Sequence, residues 1–206
     1  MTAGQVAALV ASYLLGAIPT SYLAGRLFKG IDLREHGSKN LGATNVYRIM
    51  GWRYAIPVGV FDVAKGAVPV LIIGPAVSAL GWFPLVCGVM AVVGHVFSVF
   101  VGFKGGKGVA TSAGVVLGLA PMAVGICLGT WALIVWMSGY VSLGSVIATG
   151  VFPLLVWLLY PARRESIWLY VLLAAVIVWM HRSNIRRLMA GTENRFGRHA
   201  KRSGPA

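Results

Sequence analysis

Six apolar runs alternate with polar stretches along the 206 residues, at 5–25, 54–74, 78–101, 110–138, 141–160 and 165–181. A run of roughly 20 apolar residues matches a hydrocarbon core of about 30 Å. The pattern predicts an all-α, polytopic membrane helix bundle, with residues 1–206 forming a single integral membrane domain. The first run, Val6 to Leu23, has no basic segment before it and reads as the first membrane helix, not a cleaved signal. Gly74 and Pro75 predict a short turn between the second and third runs. The run 110–138 is long for one span and contains Gly118, Pro121, Gly125 and Gly129. Proline lacks an amide donor and disfavours helix in the residue before it. A split near Pro121 into two short elements follows, with a re-entrant segment as the alternative. The chain shows no internal repeat and no low-complexity tract.

Charge sets the orientation. Hydrophobic residues make up 58% of the chain and charged residues 11%, against roughly 25% charged in soluble domains. The net charge is +13, which in a soluble protein would suggest nucleic acid. Here fifteen of the eighteen Lys and Arg residues fall in 26–53, 102–109 and 182–206, the exceptions being Lys65, Arg163 and Arg164. Positive-inside topology explains that and places all three stretches in the cytoplasm, with no nucleic acid involved. Splitting 110–138 then gives about seven transmembrane elements, N-terminus outside and C-terminus cytoplasmic. Arg163 and Arg164 fall outside in this scheme, outweighed by the seven basic residues of the tail. Cys87 and Cys127 lie inside apolar runs without metal-ligand spacing and read as packing residues.

The polar stretches carry the candidate chemistry. The first contains His36-Gly37-Ser38-Lys39-Asn40-Leu41-Gly42-Ala43-Thr44-Asn45-Val46-Tyr47-Arg48. Gly37 and Gly42 allow tight turns that expose backbone amides. Ser38, Asn40, Thr44 and Asn45 can donate to phosphate oxygens, and Arg48 can hold a phosphate at two points. An ordinary polar connector would rarely be so rich in small donors and so poor in acids. The second stretch, Gly102-Phe103-Lys104-Gly105-Gly106-Lys107-Gly108-Val109-Ala110-Thr111-Ser112, is not a Walker A loop. Three residues instead of four separate its first glycine from Gly106-Lys107, and glycine instead of Ser or Thr follows the lysine. Its glycines still permit an anion-binding nest, with a helix N-terminus expected near Thr111. The third stretch runs from His181 to Glu193, and at helical spacing His181, Asn184 and Leu188 share a face. Its arginines suit phosphate or anionic lipid headgroups equally well.

Asp62 and Lys65, spaced i, i+3 in an apolar run, are either a functional pair or a structural one, because charge inside a span is costly. His95 reads as a satisfied core histidine. Gly139 to Ser145 forms a small-residue break. No nucleophile elbow, metal-ligand cluster, dinucleotide fingerprint or His-x4-Asp acyltransferase signature is present. Few acids and many phosphate ligands suit two substrates that both carry phosphate. A transporter or channel for a phosphorylated solute, or a non-catalytic scaffold, are the competing readings.

These residues resemble the PlsY family, the acyl-phosphate:glycerol-3-phosphate acyltransferases of bacteria. Three motifs appear in order: Gly37 to Asn45 with Arg48; Gly102 to Thr111; and His181, Asn184-Ile185, Arg187-Leu188, Gly191 and Glu193. Asp62 to Gly66 and Ser142-Leu143-Gly144 also look like family features. One departure is Lys39, where glycine is common in the family. The resemblance implies a seven-helix fold in the bacterial inner membrane, with the active site facing the cytoplasm and lipids around it. It also implies acyl transfer from acyl phosphate to the sn-1 hydroxyl of glycerol 3-phosphate, without a cofactor or metal. On that reading Ser38, Arg48, Lys104, His181 and Asn184 are the candidate catalytic residues on glycerol 3-phosphate. The motif-two loop, with Gly105, Gly106, Lys107, Gly108 and Thr111, and Ser142 are candidates for the phosphate of acyl phosphate. Gly37, Asn40, Gly42, Thr44, Asn45, Arg187 and Glu193 complete the expected phosphate-binding set.

Overall fold

The computed structural model describes residues 1–196, so the last part of the basic tail, 197–206, lies outside the described residues. Among the described residues the regular structure is helical throughout. The chain forms two compact units, Met1–Leu119 and Ala120–Ala206.

The first unit contains α1 (Ala3–Ala17), α2 (Thr20–Lys29), α3 (Ala43–Met50), α4 (Trp52–Val68), α5 (Gly74–Val77), α6 (Phe83–Val96) and α7 (Val109–Leu117). The first apolar run is thus not one continuous helix. Pro19 drives Ile18 out of helical geometry, to φ −54° and ψ 114°, and α2 restarts at Thr20. The expected turn at Gly74 and Pro75 is also displaced. A π-helical turn at Pro69–Ile73 joins α4 to α5, so the chain stays helical to Val77 and turns at residues 78–82. The wider turn lets the Gly74 amide reach the Pro69 carbonyl, and Pro75 falls in the first turn of the next helix, where an amide is not needed.

Glycine sets the helix spacing in this unit. A side chain on Gly16 would overlap the Ala91 backbone, and one on Gly94 would overlap the Tyr13 carbonyl oxygen. The same mutual fit holds α4 to α7, with Gly66 against the Thr111 carbonyl and Gly114 against the Val63 carbonyl. Small residues at these crossings let backbones approach closely, which is how helices adhere where no hydrophobic force distinguishes them from lipid. Ala8 packs with Phe83 and Cys87 near the starts of α1 and α6. Ser98, just past the end of α6, bonds to Ala17 at the end of α1. These two helices therefore run in the same direction.

The second unit contains α8 (Pro121–Ser138), α9 (Val141–Leu159), α10 (Ile167–Met180) and α11 (Arg182–Met189), with a 3-10 turn at Pro161–Ser166 before α10. Pro121 opens α8, and Gly139, with φ 76°, closes it. The split near Pro121 and the break after Ser138 both agree with the sequence. Five helical segments are long and apolar enough to cross a membrane: Ala3–Lys29, Trp52–Val77, Phe83–Val101, Pro121–Ser138 and Val141–Leu159. A sixth is counted if the bent pair Pro161–Met180 and Arg182–Met189 is one span. The nine residues of α7 reach only about 13 Å at 1.5 Å per residue, under half the core thickness.

The glycine crossings give a stability test. Gly94→Val should lower the stability of the first unit by about 1–3 kcal/mol or more through overpacking. Gly129→Ala, where an added Cβ meets nothing within 4 Å, should be neutral or stabilising by up to about 1 kcal/mol through helix propensity. Thermal unfolding in detergent compares them; equal effects would refute the spacing role.

Candidate active site

Motif one is an irregular loop held from within. The Asp32 carboxylate is buried and accepts the Arg34 amide at 2.9 Å, Arg34 Nε at 3.0 Å and an Arg34 terminal nitrogen at 2.7 Å. Arg26 adds a contact at 3.3 Å. The Arg34 side-chain bonds hold the Asp32 carboxyl at about 2, below its usual 3.8, so it stays ionised at any physiological pH. Arg34 also donates to the Val101 carbonyl at 3.2 Å, tying this loop to the segment that leads into motif two.

Asn45 organises the rest of the loop. Its Oδ1 accepts the Ser38 amide at 2.8 Å, and its Nδ2 donates to the Leu33 and His36 carbonyls, each at 3.1 Å. The sequence places Asn45 among the phosphate donors. In the structure it is buried in α3 and both donor hydrogens go to the loop. Its work is to hold Ser38. Gly37, φ 60°, fits here because a side chain would overlap Asn45 Oδ1. Lys39 adopts φ 57°, left-handed backbone that costs a non-glycine residue about 1–2 kcal/mol. Glycine, which the resemblance implies is common here, would adopt this backbone without that cost. Gly42 caps α3, Asn40 and Thr44 are partly exposed beside it, and Arg48 lies half-buried on α3, not in a solvated loop.

Motif two folds back on the end of α6. The Gly105 amide donates to the Val96 carbonyl at 3.0 Å and the Gly106 amide to the His95 carbonyl at 3.1 Å. These two amides therefore cap α6 and do not form the nest the sequence suggests. Their glycines are demanded by close packing. A side chain on Gly105 would overlap the His95 carbonyl, and one on Gly106 would overlap both His95 Nε2 and the Leu41 carbonyl. Gly106 is thus where motifs one and two meet. Lys104 is exposed, Lys107 half-buried, and Gly108, φ 81°, opens α7. In the first turns of α7 the hydroxyls of Thr111 and Ser112 are buried and have no hydrogen-bond partner in the protein. Ser112 ends the second stretch of the sequence but is not among its expected phosphate ligands. A serine beside a threonine in a helix gives no signal until burial is known.

The second unit brings motif three together with Ser142. Glu193 is the hub. Its Oε1 accepts Ser142 Oγ at 3.0 Å and Asn184 Nδ2 at 2.7 Å, and its Oε2 accepts Arg187 Nε at 2.7 Å. The sequence lists Glu193 with the phosphate ligands; the structure makes it the acceptor that orients three of them. The tail is drawn over the α8–α9 turn by the Phe196 amide on the Gly139 carbonyl and by Arg195 on the Tyr140 hydroxyl. His181, buried at the bend between α10 and α11, places Nδ1 2.8 Å from the Ile177 carbonyl. A carbonyl only accepts, so Nδ1 carries the proton and a neutral ring keeps its acceptor lone pair on Nε2. Among the described residues no group of three or more His, Cys, Asp or Glu is placed to hold a metal ion.

Comparison with known proteins gives a consistent result. The family model for glycerol-3-phosphate acyltransferase matches residues 6–191. The glycerol-3-phosphate acyltransferase of Chlorobaculum parvum is 41% identical, across 95% of this chain and 98% of its own. That of Chlorobaculum tepidum is 42% identical, across 94% and 97%. Among solved structures, the glycerol 3-phosphate form of PlsY (YgiH), an integral membrane glycerol 3-phosphate acyltransferase, aligns with TM-score 0.87 and 38% identity over 94% of this chain and 96% of that one. Its lysophosphatidic acid form aligns with TM-score 0.84.

The hub role of Glu193 is open to test. Glu193→Gln turns one of its two acceptor oxygens into a donor facing Arg187, and loses the charge behind all three bonds. A charge-assisted bond of this kind is worth about 1.5–3 kcal/mol, so thermal unfolding should fall by that amount. Glu35→Gln, at an exposed site, should stay within about 0.5 kcal/mol of the parent.

Proposed function

The chain belongs to the glycerol-3-phosphate acyltransferase family, and from that premise we propose that it transfers a fatty acyl group from acyl phosphate to the sn-1 hydroxyl of glycerol 3-phosphate. The products are lysophosphatidic acid and inorganic phosphate, an early step of phospholipid synthesis. The observation that carries this reading is the pairing of a cationic loop with carboxylates committed elsewhere. Lys104 and Lys107 lead into the N-terminus of α7, where the Thr111 and Ser112 hydroxyls lack protein partners, a setting suited to a phosphate. Asp32, Asp62 and Glu193 are buried and bonded within the protein. A site with so little general base suits a donor that arrives already activated, and a mixed anhydride with phosphate as leaving group is one.

In the proposed reaction the sn-1 oxygen attacks the acyl carbonyl carbon, the bond from that carbon to the phosphate oxygen breaks, and phosphate leaves with the electron pair. The hydroxyl proton goes to a substrate phosphate oxygen or to His181 Nε2. The protein's main work is holding two anions together that repel in water, and stabilising the charge that develops. Ser38, Arg48, Lys104, His181 and Asn184 are assigned to glycerol 3-phosphate. Lys107, Gly108, Thr111 and Ser142 are assigned to acyl phosphate. Asn45, Gly105, Gly106 and Glu193 position these groups. Residues 1–206 act as one acyltransferase domain in the bacterial inner membrane. Counting α7 as a short seventh element, the N-terminus lies outside and the motifs face the cytoplasm. The basic stretches and the common direction of α1 and α6 support that orientation.

Purified protein incubated in detergent with acyl phosphate and labelled glycerol 3-phosphate should form labelled lysophosphatidic acid; a transporter of a phosphorylated solute would form none. In that assay Lys104→Ala and Arg48→Ala should each lose roughly thirty-fold or more in kcat/KM, at about 1.4 kcal/mol per decade. Removing one partner of a desolvated charge pair costs about 2–5 kcal/mol. Arg48→Lys should recover only part, because ammonium lacks the planar two-point contact. Near-parental kinetics in both alanine variants would reduce these cations to topology signals, and undiminished turnover in His181→Ala would leave the substrate phosphate as proton acceptor.

Orientation has its own test. A cysteine introduced beside Gly105 should react with an impermeant maleimide only from the cytoplasmic side, and one beside Pro161 only from outside. Labelling of both from one side would overturn the seven-element arrangement.

A further inference from the structure

The break at Pro19 releases backbone carbonyls within the apolar segment Ala3–Lys29, and the groups that satisfy them lead to the motif-two loop. The Ala17 carbonyl accepts Ser98 Oγ at 2.5 Å. The Ile18 carbonyl accepts both Lys65 Nζ at 2.9 Å and the Thr20 amide at 3.1 Å, so it keeps a partner without the lysine. Lys65 Nζ lies 2.7 Å from Asp62 Oδ1, and both side chains are 1% exposed. Thr20, the first residue of α2, donates to the same carboxylate oxygen at 2.6 Å. His95 Nδ1 lies 3.7 Å from it. The opposite side of that imidazole, Nε2, is the surface on which Gly106 packs. From Ser98 the chain runs directly into motif two, and the Phe103 amide returns to the Ser98 carbonyl at 2.7 Å. Phe103 holds φ 61°, left-handed backbone that a phenylalanine avoids unless its surroundings impose it.

We propose that the Asp62–Lys65 pair, with Thr20, His95 and Ser98, is a positioning device that fixes the motif-two loop in register with the break in the first span. Two anchors converge on one loop. Ser98 ties its start to the Ala17 carbonyl. Asp62 and Lys65 set His95, whose carbonyl and Nε2 edge seat Gly106. None of these residues need touch substrate. Their effect is exerted through Lys104, Lys107 and the start of α7. A pair serving only to neutralise itself would need neither the Ile18 carbonyl nor a place beside His95.

The inference rests on the proposed role of motif two in holding a substrate phosphate, so two readouts are needed, one of them independent of the reaction. Asp62→Leu combined with Lys65→Met removes both charges, a replacement that buried ion pairs often tolerate without loss of stability. His95→Phe keeps a ring and leaves the pair intact. In hydrogen–deuterium exchange of the intact protein, both variants should exchange the Phe103, Gly105 and Gly106 amides at least ten-fold faster than the parent. In steady-state assays of acyl phosphate and glycerol 3-phosphate, KM for at least one substrate should rise ten-fold or more, while the midpoint of thermal unfolding stays near the parent. Combining all three substitutions should add little, because they act on one loop. Parental exchange and parental KM in folded variants would overturn the proposal and leave a structural pair. If the double variant does not fold, His95→Phe decides alone on the same criteria. If the parent makes no product from acyl phosphate, the proposed donor fails, and exchange still decides the positioning claim.

Discussion

Hydrocarbon offers no water to a broken helix, so a proline in a span obliges the protein to satisfy the backbone groups it releases. Pro19 imposes that obligation on the first span, and much of the first unit follows from it. Lys65 reaches the Ile18 carbonyl, and a buried ammonium then requires the Asp62 carboxylate. Ser98 reaches the Ala17 carbonyl and fixes the exit from α6. Both contacts demand that α4 and α6 approach the break closely, and the glycine crossings at Gly16 and Gly94 make that approach possible on the α6 side. A helix break, a buried ion pair and close glycine packing are thus one solution to one constraint.

The acids show a second economy. The chain has five. Asp32, Asp62 and Glu193 are buried, and each holds cationic or donor groups in a different part of the chain. Asp32 fixes Arg34 in motif one, Asp62 acts behind motif two, and Glu193 gathers Ser142, Asn184 and Arg187 in motif three. Scarcity of acid in the sequence suits substrates that carry phosphate. The structure gives it a further sense, since the buried acids are spent on orienting basic and polar groups, so they do not neutralise the site from the surface.

What the sequence made legible depends on the range of the interaction. Apolar runs and the split at Pro121 are local properties of composition and proline chemistry, and five of those runs appear as helical segments long enough to span, with a sixth only if the bent pair is one span. The motifs are contiguous and were visible as such. The misplacements share a cause in contacts distant along the chain. Pro75 marks a turn by local rule, yet a π-helical turn absorbs it and the chain reverses later. Asn45 carries the right functional group for phosphate, but the Leu33 and His36 carbonyls take its hydrogens first, and Glu193, an acceptor only, serves Ser142 and Asn184 instead of an anion. Thr20 could not be linked to Asp62 from sequence, because 42 positions separate them. Glycine was ambiguous for the same reason. Gly37 and Gly108 need positive φ, whereas Gly105 and Gly106 need the absence of a Cβ against His95.

These roles bear on how such a site achieves catalysis. If the donor is an acyl phosphate, the reaction is downhill and the leaving group is good, so little covalent chemistry falls to the protein. The barrier that remains is geometric and electrostatic, bringing two phosphate-bearing molecules within bonding distance. Cations on long, free side chains would attract both anions but place neither. Placement requires that the backbone beneath the cations be rigid. Asn45 and Asp32 stiffen motif one, the His95 and Val96 carbonyls stiffen motif two, and Glu193 stiffens motif three. On the proposed reading, rigidity within each motif is what would let cations orient a phosphate instead of merely attracting it.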